Sequence, residues 1–205
     1  LIKEFEDFKR LLPEYPDLTE ELKDLVAGGG IIHVSYFDSP WKYTCPTAPN
    51  PMSGKLVGAI VRNEGIKTLE QVHANLVIGT RSVRLGWVEE AGEFIDIPPA
   101  SEKHLGIANT MEPNDELYER ILSWRYPQVM GASPRTLPHR EGCWVASSGA
   151  LRIPAQGDAY LAPGEHEATL RILYGDGKEF AEEIKLLSPK SWNKLGLQTT
   201  NFGVE

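Results

Sequence analysis

Two cysteines and five histidines are the residues of this 205-residue chain best suited to metal or nucleophilic chemistry. They are Cys45, Cys143, His33, His73, His104, His139 and His166. His139 and Cys143 stand four apart. An imidazole there could draw the proton from a thiol, or both could ligate zinc with Cys45 as a third donor. Neither reading has the spacing that makes such chemistry expected, because there is no His-Glu-x-x-His and no Cys-x-x-Cys. The simpler expectation for Cys143 is a loop thiol near an unrelated histidine. For the two cysteines together it is a pair of small buried thiols. A disulfide is the alternative; it would tie the first loop to the last third of the chain in an oxidising compartment. Exposed strand residues are the expectation for His73 and His166.

Other reactive groups give less. Ser147-Ser148-Gly149 lacks the Gly-x-Ser-x-Gly elbow. Glu89-Glu90 and Glu182-Glu183 read as solvated acids beside turns or on strand faces rather than as a pair across a cleft. There is no Gly-x-x-x-x-Gly-Lys-Ser/Thr, and Gly28-Gly29-Gly30 follows a helical pattern instead of a strand. The sequence therefore predicts no catalytic residue, no metal site and no cofactor.

One segment departs from the acidic character of the chain. The net charge is −8, from 29 acidic and 21 basic residues. Yet from Arg120 to Arg140 there are four arginines and His139, with no Asp or Glu. Arginine mixed with aromatics in a long loop is the composition of a binding hot spot. Trp124, Arg125, Tyr126, Arg135 and Arg140 are the candidate contact residues, facing an acidic partner protein, a phosphate-bearing ligand or a lipid head group. The competing expectation is that these arginines pair with acids of their own domain and that Trp124 is core. Reversing Arg125 and Arg135 to Glu distinguishes the two, since only the second predicts lost folding. Trp41 and Tyr43 would either present a glycan-stacking platform or anchor their loop to the body. The negative balance argues against a general affinity for nucleic acid, whose phosphates need a basic footprint.

The elements that must position these residues read as strands. Residues 1–30 form a helical lead-in, with Ile2, Phe5, Phe8 and Leu12 and then Leu18, Leu22, Leu25 and Val26 at helical spacing, closed by three glycines. Ile31 to Phe37 is a strand, and residues 38–54, with four prolines, read as a loop. Leu56 to Val61 is a short apolar strand. Asn63-Glu64-Gly65 then reverses the chain, and Val72, Ala74, Leu76 and Ile78 alternate with Gln71, His73 and Asn75. Further strands are expected at Ser82–Val88, around Phe94–Ile97 and at Leu105–Ala108. Ala168, Leu170 and Ile172, a Gly175-Asp176-Gly177 turn, and Phe180, Ile184 and Leu186 make a hairpin. Residues 111–149 read as an insertion that opens with a helix from Asp115 to Trp124, with Asn114 as its N-cap. The tail, 188–205, is expected to clip on as an extra strand. The fold class is mainly β: an antiparallel sandwich spanning 31–187, with an N-terminal helical extension and a partly helical insertion.

Two stretches carry a resemblance. "LVGAIVRNEGIKTLEQVHANLVI" and "LAPGEHEATLRILYGDGKEF" resemble the strand–turn–strand and the Pro-Gly corner with last hairpin of bacterial immunoglobulin-like β-sandwiches, of the CARDB or fibronectin-type accessory class. The resemblance implies adhesion, assembly or ligand presentation rather than catalysis. The leading expectation is a non-catalytic protein–protein interaction or assembly module. A ligand-binding module for a glycan or small anion, using the Trp/Tyr/Arg loops, is the alternative, and an enzyme with a Cys/His site is the third. Leu1 opens inside a helical pattern. A processed product is expected, and removal of a leader or membrane anchor ahead of Leu1 would explain that start equally well.

Overall fold

A computed structural model describes residues 31–43, 52–88, 92–112, 141–145, 160–175 and 177–199. The helical lead-in 1–30 and the helix expected at 115–124 lie outside these residues. Among the described residues the chain forms strands and a single 3-10 turn, Trp192–Lys194. The strands are β1 (Ile32–Tyr43), β2 (Met52–Asn63), β3 (Leu69–Ile78), β4 (Arg81–Arg84), β5 (Gly86–Trp87), β6 (Ile95–Ile97), β7 (Glu102–Met111), β8 (Cys143–Val145), β9 (Tyr160–Leu161), β10 (Gly164–Tyr174), β11 (Lys178–Ser188) and β12 (Gly196–Thr199).

These strands make two antiparallel sheets. The first runs β1-β2-β7-β8-β9, with β5 also on β7; the second runs β12-β11-β10-β3-β4, with β6 also on β3. Alternation explains why the sheets face each other. Val72, Ala74 and Leu76 of β3 and Ala168, Leu170 and Ile172 of β10 are buried, and so are Val57, Ala59 and Val61 of β2 opposite them. Side chains on a strand point alternately to its two faces, so each of these sets closes one wall of a shared apolar interior. A register shift between β2 and β7 leaves Ile107 as an extra residue, and Leu105, Ile107 and Ala108 all reach the core.

Asn63 explains the break in the apolar pattern, and it corrects the expected reversal. β2 and β3 are not a hairpin; they lie in different sheets. The Asn63 side chain is fully buried at the corner between them. Its Nδ2 donates to the Lys67 carbonyl at 2.7 Å and the Ile97 carbonyl at 2.8 Å, and its Oδ1 accepts from the Gly65 amide at 2.9 Å. One side chain thus hydrogen-bonds to three backbone groups at the corner between the sheets.

The strand expected at Ser82–Val88 is also two pieces. β4 pairs with β3 in the second sheet, and β5 pairs with β7 in the first. The chain changes layers at Leu85, which is buried and whose amide donates to the Ala74 carbonyl at 2.9 Å. The stretch 38–54 expected as a loop contributes strand at both ends, since β1 continues to Tyr43 and β2 begins at Met52. Composition misled here because β1 is an edge strand, where Pro40 removes no bond the sheet needs from a second neighbour. Within the stretch 111–149 expected as an insertion, Cys143–Val145 is a strand of the first sheet, paired with β7 and β9. The tail does add a strand, β12, on β11.

Candidate interaction surface

The five residues of the arginine-rich segment, Trp124, Arg125, Tyr126, Arg135 and Arg140, lie outside the described residues, as do Cys45 and His139. Cys143 is described. It is a free, fully buried thiol on β8. Burial pushes its pKa up to about 11, partly offset by a hydrogen bond with Ser188. A thiol held neutral in an apolar wall is a poor nucleophile and a poor metal ligand. The histidines are dispersed. His33 is exposed on β1, His104 meets Phe37 edge-on with ring centroids 5.5 Å apart, and His166 Nε2 contacts the Ala162 carbonyl at 2.8 Å. Among the described residues no three His, Cys, Asp or Glu side chains are grouped to hold a metal ion.

The outward face of the first sheet carries aromatics over glycines. Trp41 of β1 pairs with Gly54 of β2, and Phe37 pairs with Gly58. Any Cβ on Gly54 would collide with the Trp41 ring, and one on Gly58 would sit 2.6 Å from Phe37 Cζ. Each glycine is the slot into which a ring lies. Trp41 is 2 % exposed. That removes it from the expected glycan platform: a buried indole cannot stack on a sugar. Anchoring, the other expectation, is what the strand geometry shows. Leu56, Asn109, Trp144 and Tyr160 continue this face along the cross-strand register. All but the half-buried Tyr160 are buried, although none belongs to the interior cluster.

The outward face of the second sheet is polar and open. Its charges are mostly matched. Arg171 of β10 forms a two-pronged ion pair with Glu179 of β11, and Lys185 Nζ lies 3.0 Å from Glu165 Oε2. The exception stands where β3, β4 and β6 meet. Phe94 is 46 % exposed, and with Ile66 it makes up the exposed large apolar residues among those described. The His73 ring meets Phe94 edge-on at 4.9 Å between centroids. The Arg84 guanidinium carbon lies 5.3 Å from the centre of the same ring. This is cation–π distance. His73 Nδ1 is 3.1 Å from the Gln71 carbonyl, which fixes the imidazole and turns Nε2 outward from that contact. Asp96 beside Phe94 accepts the Gln71 amide through Oδ1 at 3.0 Å. It therefore secures the bulge at Gln71, whose φ is +54°.

This cluster was half visible in the sequence. Ile95 and Ile97 are buried, so period two places Phe94 and Asp96 on the opposite side. A phenylalanine on the solvent side, directly before a strand, is the signal, masked by its position in an apolar run. Arg84 gave no signal, because it lay inside a stretch that reads as one strand but is two.

Comparison with known proteins finds no protein-family model that matches the chain, and no curated protein that matches it. A solved structure, the X-ray structure of Northeast Structural Genomics Consortium target SoR45, is similar at 10 % sequence identity over 85 % of this chain and 90 % of that one, with a TM-score of 0.26. A likeness of that degree carries no argument about the chain's function.

Proposed function

We propose that this chain is a non-catalytic protein–protein interaction or assembly module built on an immunoglobulin-like sandwich. The strand order supports the architectural half of this reading. β1, β2 and β7 stand as the A, B and E strands do in such domains, and β11, β10, β3 and β4 follow the order G, F, C and C′. β8, β9 and β12 are additions to that frame.

The observation that carries the functional half is the character of the interior. The residues filling it are apolar, and the buried polar residues among those described, Asn63, Asn109, Thr110 and Ser188, have no ionisable group. Acid–base work needs a titratable side chain held where its pKa suits the reaction. Among the described residues the fully buried thiol, Cys143, is tuned the wrong way for a nucleophile. The charged and aromatic groups that could engage another molecule lie on the sheet exteriors. A two-layer scaffold with a dry centre and a decorated outside is suited to binding by surface.

Proximity labelling from this chain in its own cell, followed by titration of each recovered protein against the purified chain in a calorimeter, tests the reading. Saturable binding of a defined partner is the expected result. Turnover of any member of a hydrolase or transferase substrate panel, abolished by Cys143→Ser and unaccompanied by saturable protein binding, would overturn it.

A further inference from the structure

We propose that the free edge of β1, from Ile32 to Asp38, pairs antiparallel with the same edge of a second copy of this chain. This rests on the reading of the chain as an assembly module and names its partner and its contact.

The first ground is the direction of the backbone groups. The Glu64 amide donates to the Ile31 carbonyl at 2.9 Å, one step before the Ile32–Asn63 pair that opens the β1–β2 ladder. In an antiparallel ladder bonded and non-bonded pairs alternate. His33, Ser35, Phe37 and Ser39 therefore exchange bonds with β2, while Ile32, Val34, Tyr36 and Asp38 turn their N–H and C=O groups outward. Pro40 fits this phase, since its missing N–H falls at an outward position. β1 ends the first sheet, and among the described residues no strand lies on its outer side. His33, Ser35 and Asp38 are exposed, so this margin is open.

The second ground is missing protection. The other terminal strands of the two sheets, β4, β9 and β12, are 4, 2 and 4 residues long, whereas β1 has 12. Long edges are normally blunted by proline, lysine or a bulge. β1 carries Pro40 and Lys42 in its second half and none of these devices from Ile32 to Asp38. One half of the strand is closed to a neighbour and the other is left ready for one.

The third ground is that this half matches itself. Outward residues bond only to outward residues. A two-fold axis at Ser35 sets Val34 opposite Tyr36 of the second copy and Ile32 opposite Asp38, each such pair exchanging two bonds. An axis at Tyr36 or Phe37 draws Pro40 into the ladder and loses a donor. An axis at Asp38 sets two carboxylates face to face. Val34 and Tyr36 are half-buried on the rim of the interior. Across the seam they become a β-branched–aromatic pair, and His33 falls opposite Phe37 on the outer face. Asp38 already meets Lys55 Nζ at 2.7 Å, so in a chain of net charge −8 this edge brings no unmatched acid to the contact. A second copy supplies all these matches from one sequence, and the two-fold contact closes without leaving another β1 edge free.

The test is sedimentation velocity of the full chain from about 1 to about 100 µM, the range suited to a contact of this small size. The weight-average mass should climb from one chain toward two. Val34→Pro removes an outward N–H and no bond to β2, and should raise the half-association concentration by about tenfold or more with an unchanged thermal melt. Val34→Lys, which points a charge into the seam, serves if the proline alters folding. Amide exchange reads the same contact without substitution. From dilute to concentrated solution the Val34 and Tyr36 amides should slow by about tenfold, while those of His33, Ser35 and Phe37, bonded to β2, stay as they are. A single-chain mass across the series, or association that the folded Val34 variants leave intact, would overturn the pairing. If the chain stays monomeric and still binds its calorimetric partner, the pairing is wrong and the module reading stands. If it neither self-associates nor has a saturable protein partner, it is the module reading that fails.

Discussion

Removing the Asn63 amide would strand the Gly65 N–H and the Lys67 and Ile97 carbonyls at a corner closed to water. Unpaired buried polar groups each cost about 1–3 kcal/mol, so Asn63→Ala is expected to lower the unfolding free energy by about 3 kcal/mol. Asn63→Asp keeps the acceptor for Gly65 but loses both donations, and should be nearly as damaging. Urea unfolding monitored by tryptophan fluorescence checks both. The glycine slots make a second prediction at this scale. Gly58→Ala forces the new Cβ against Phe37 and the Leu105 backbone, and should destabilise by about 2 kcal/mol. The double variant Gly58→Ala/Phe37→Ala should not recover all of that loss, because the Leu105 carbonyl cannot move aside as a side chain can. The same urea series on the two variants reads the difference.

At the scale of elements, Leu76 of β3 is fully buried at the centre of the second sheet's inner face. Leu76→Ala should cost about 3 kcal/mol, whereas Val77→Thr, one residue along and on the outer face, should cost under about 1 kcal/mol. Chemical denaturation of the two variants tests whether period two governs this strand. That periodicity is also what made much of the fold legible. Val72, Ala74 and Leu76, and the hairpin set Ala168, Leu170, Ile172, Ile184 and Leu186, face the core as their alternation requires. What stayed hidden is where strands change partner. Nothing in Arg84-Leu85-Gly86 distinguishes a chain that stays in one sheet from one that crosses to the other, because Leu85 is buried in either case. Asn63-Glu64-Gly65 signals a turn, but turn chemistry does not say whether the next strand returns alongside or climbs to the facing layer. Pro40 and Gly54 read as loop residues by composition, yet an edge position tolerates the first and the Trp41 ring requires the second. The exposed Phe94 cluster was hidden for a related reason: its members come from β3, β4 and the residue before β6, and only the pairing of β3 with both β4 and β6 brings them together.

For the whole molecule, alkaline pH is the condition that should loosen it first. Burial raises the Cys143 pKa from its ordinary 9.0 to about 11, so the folded state holds that proton where the unfolded chain releases it. The contribution is fully present below about pH 9 and fades as pH rises through 11, amounting to roughly 2–3 kcal/mol. Tyr36 acts in the same sense. Burial, then its hydrogen bond to Glu182 at 2.7 Å, holds the phenol neutral, and this bond joins the edge strand of one sheet to the inner face of the other. Denaturant midpoints should be flat with respect to these two groups up to about pH 9 and fall above it. Cys143→Ala should flatten the fall between about pH 9 and 11, and Tyr36→Phe should flatten what remains at higher pH.

The pairing of β3 with β10 also bears on how the chain reaches this state. Val77 lies opposite Thr169, so the two strands at the heart of the second sheet meet only after more than half of the described span has been gathered between them. The β1–β2 and β10–β11 ribbons can zip locally in microseconds, whereas that closure must wait for distant segments to find each other. Refolding after rapid dilution from denaturant should therefore take milliseconds to seconds. Until it finishes, the unpaired flank of β3 is an open template, and concentrated refolding mixtures should lose material to aggregation that dilute ones keep.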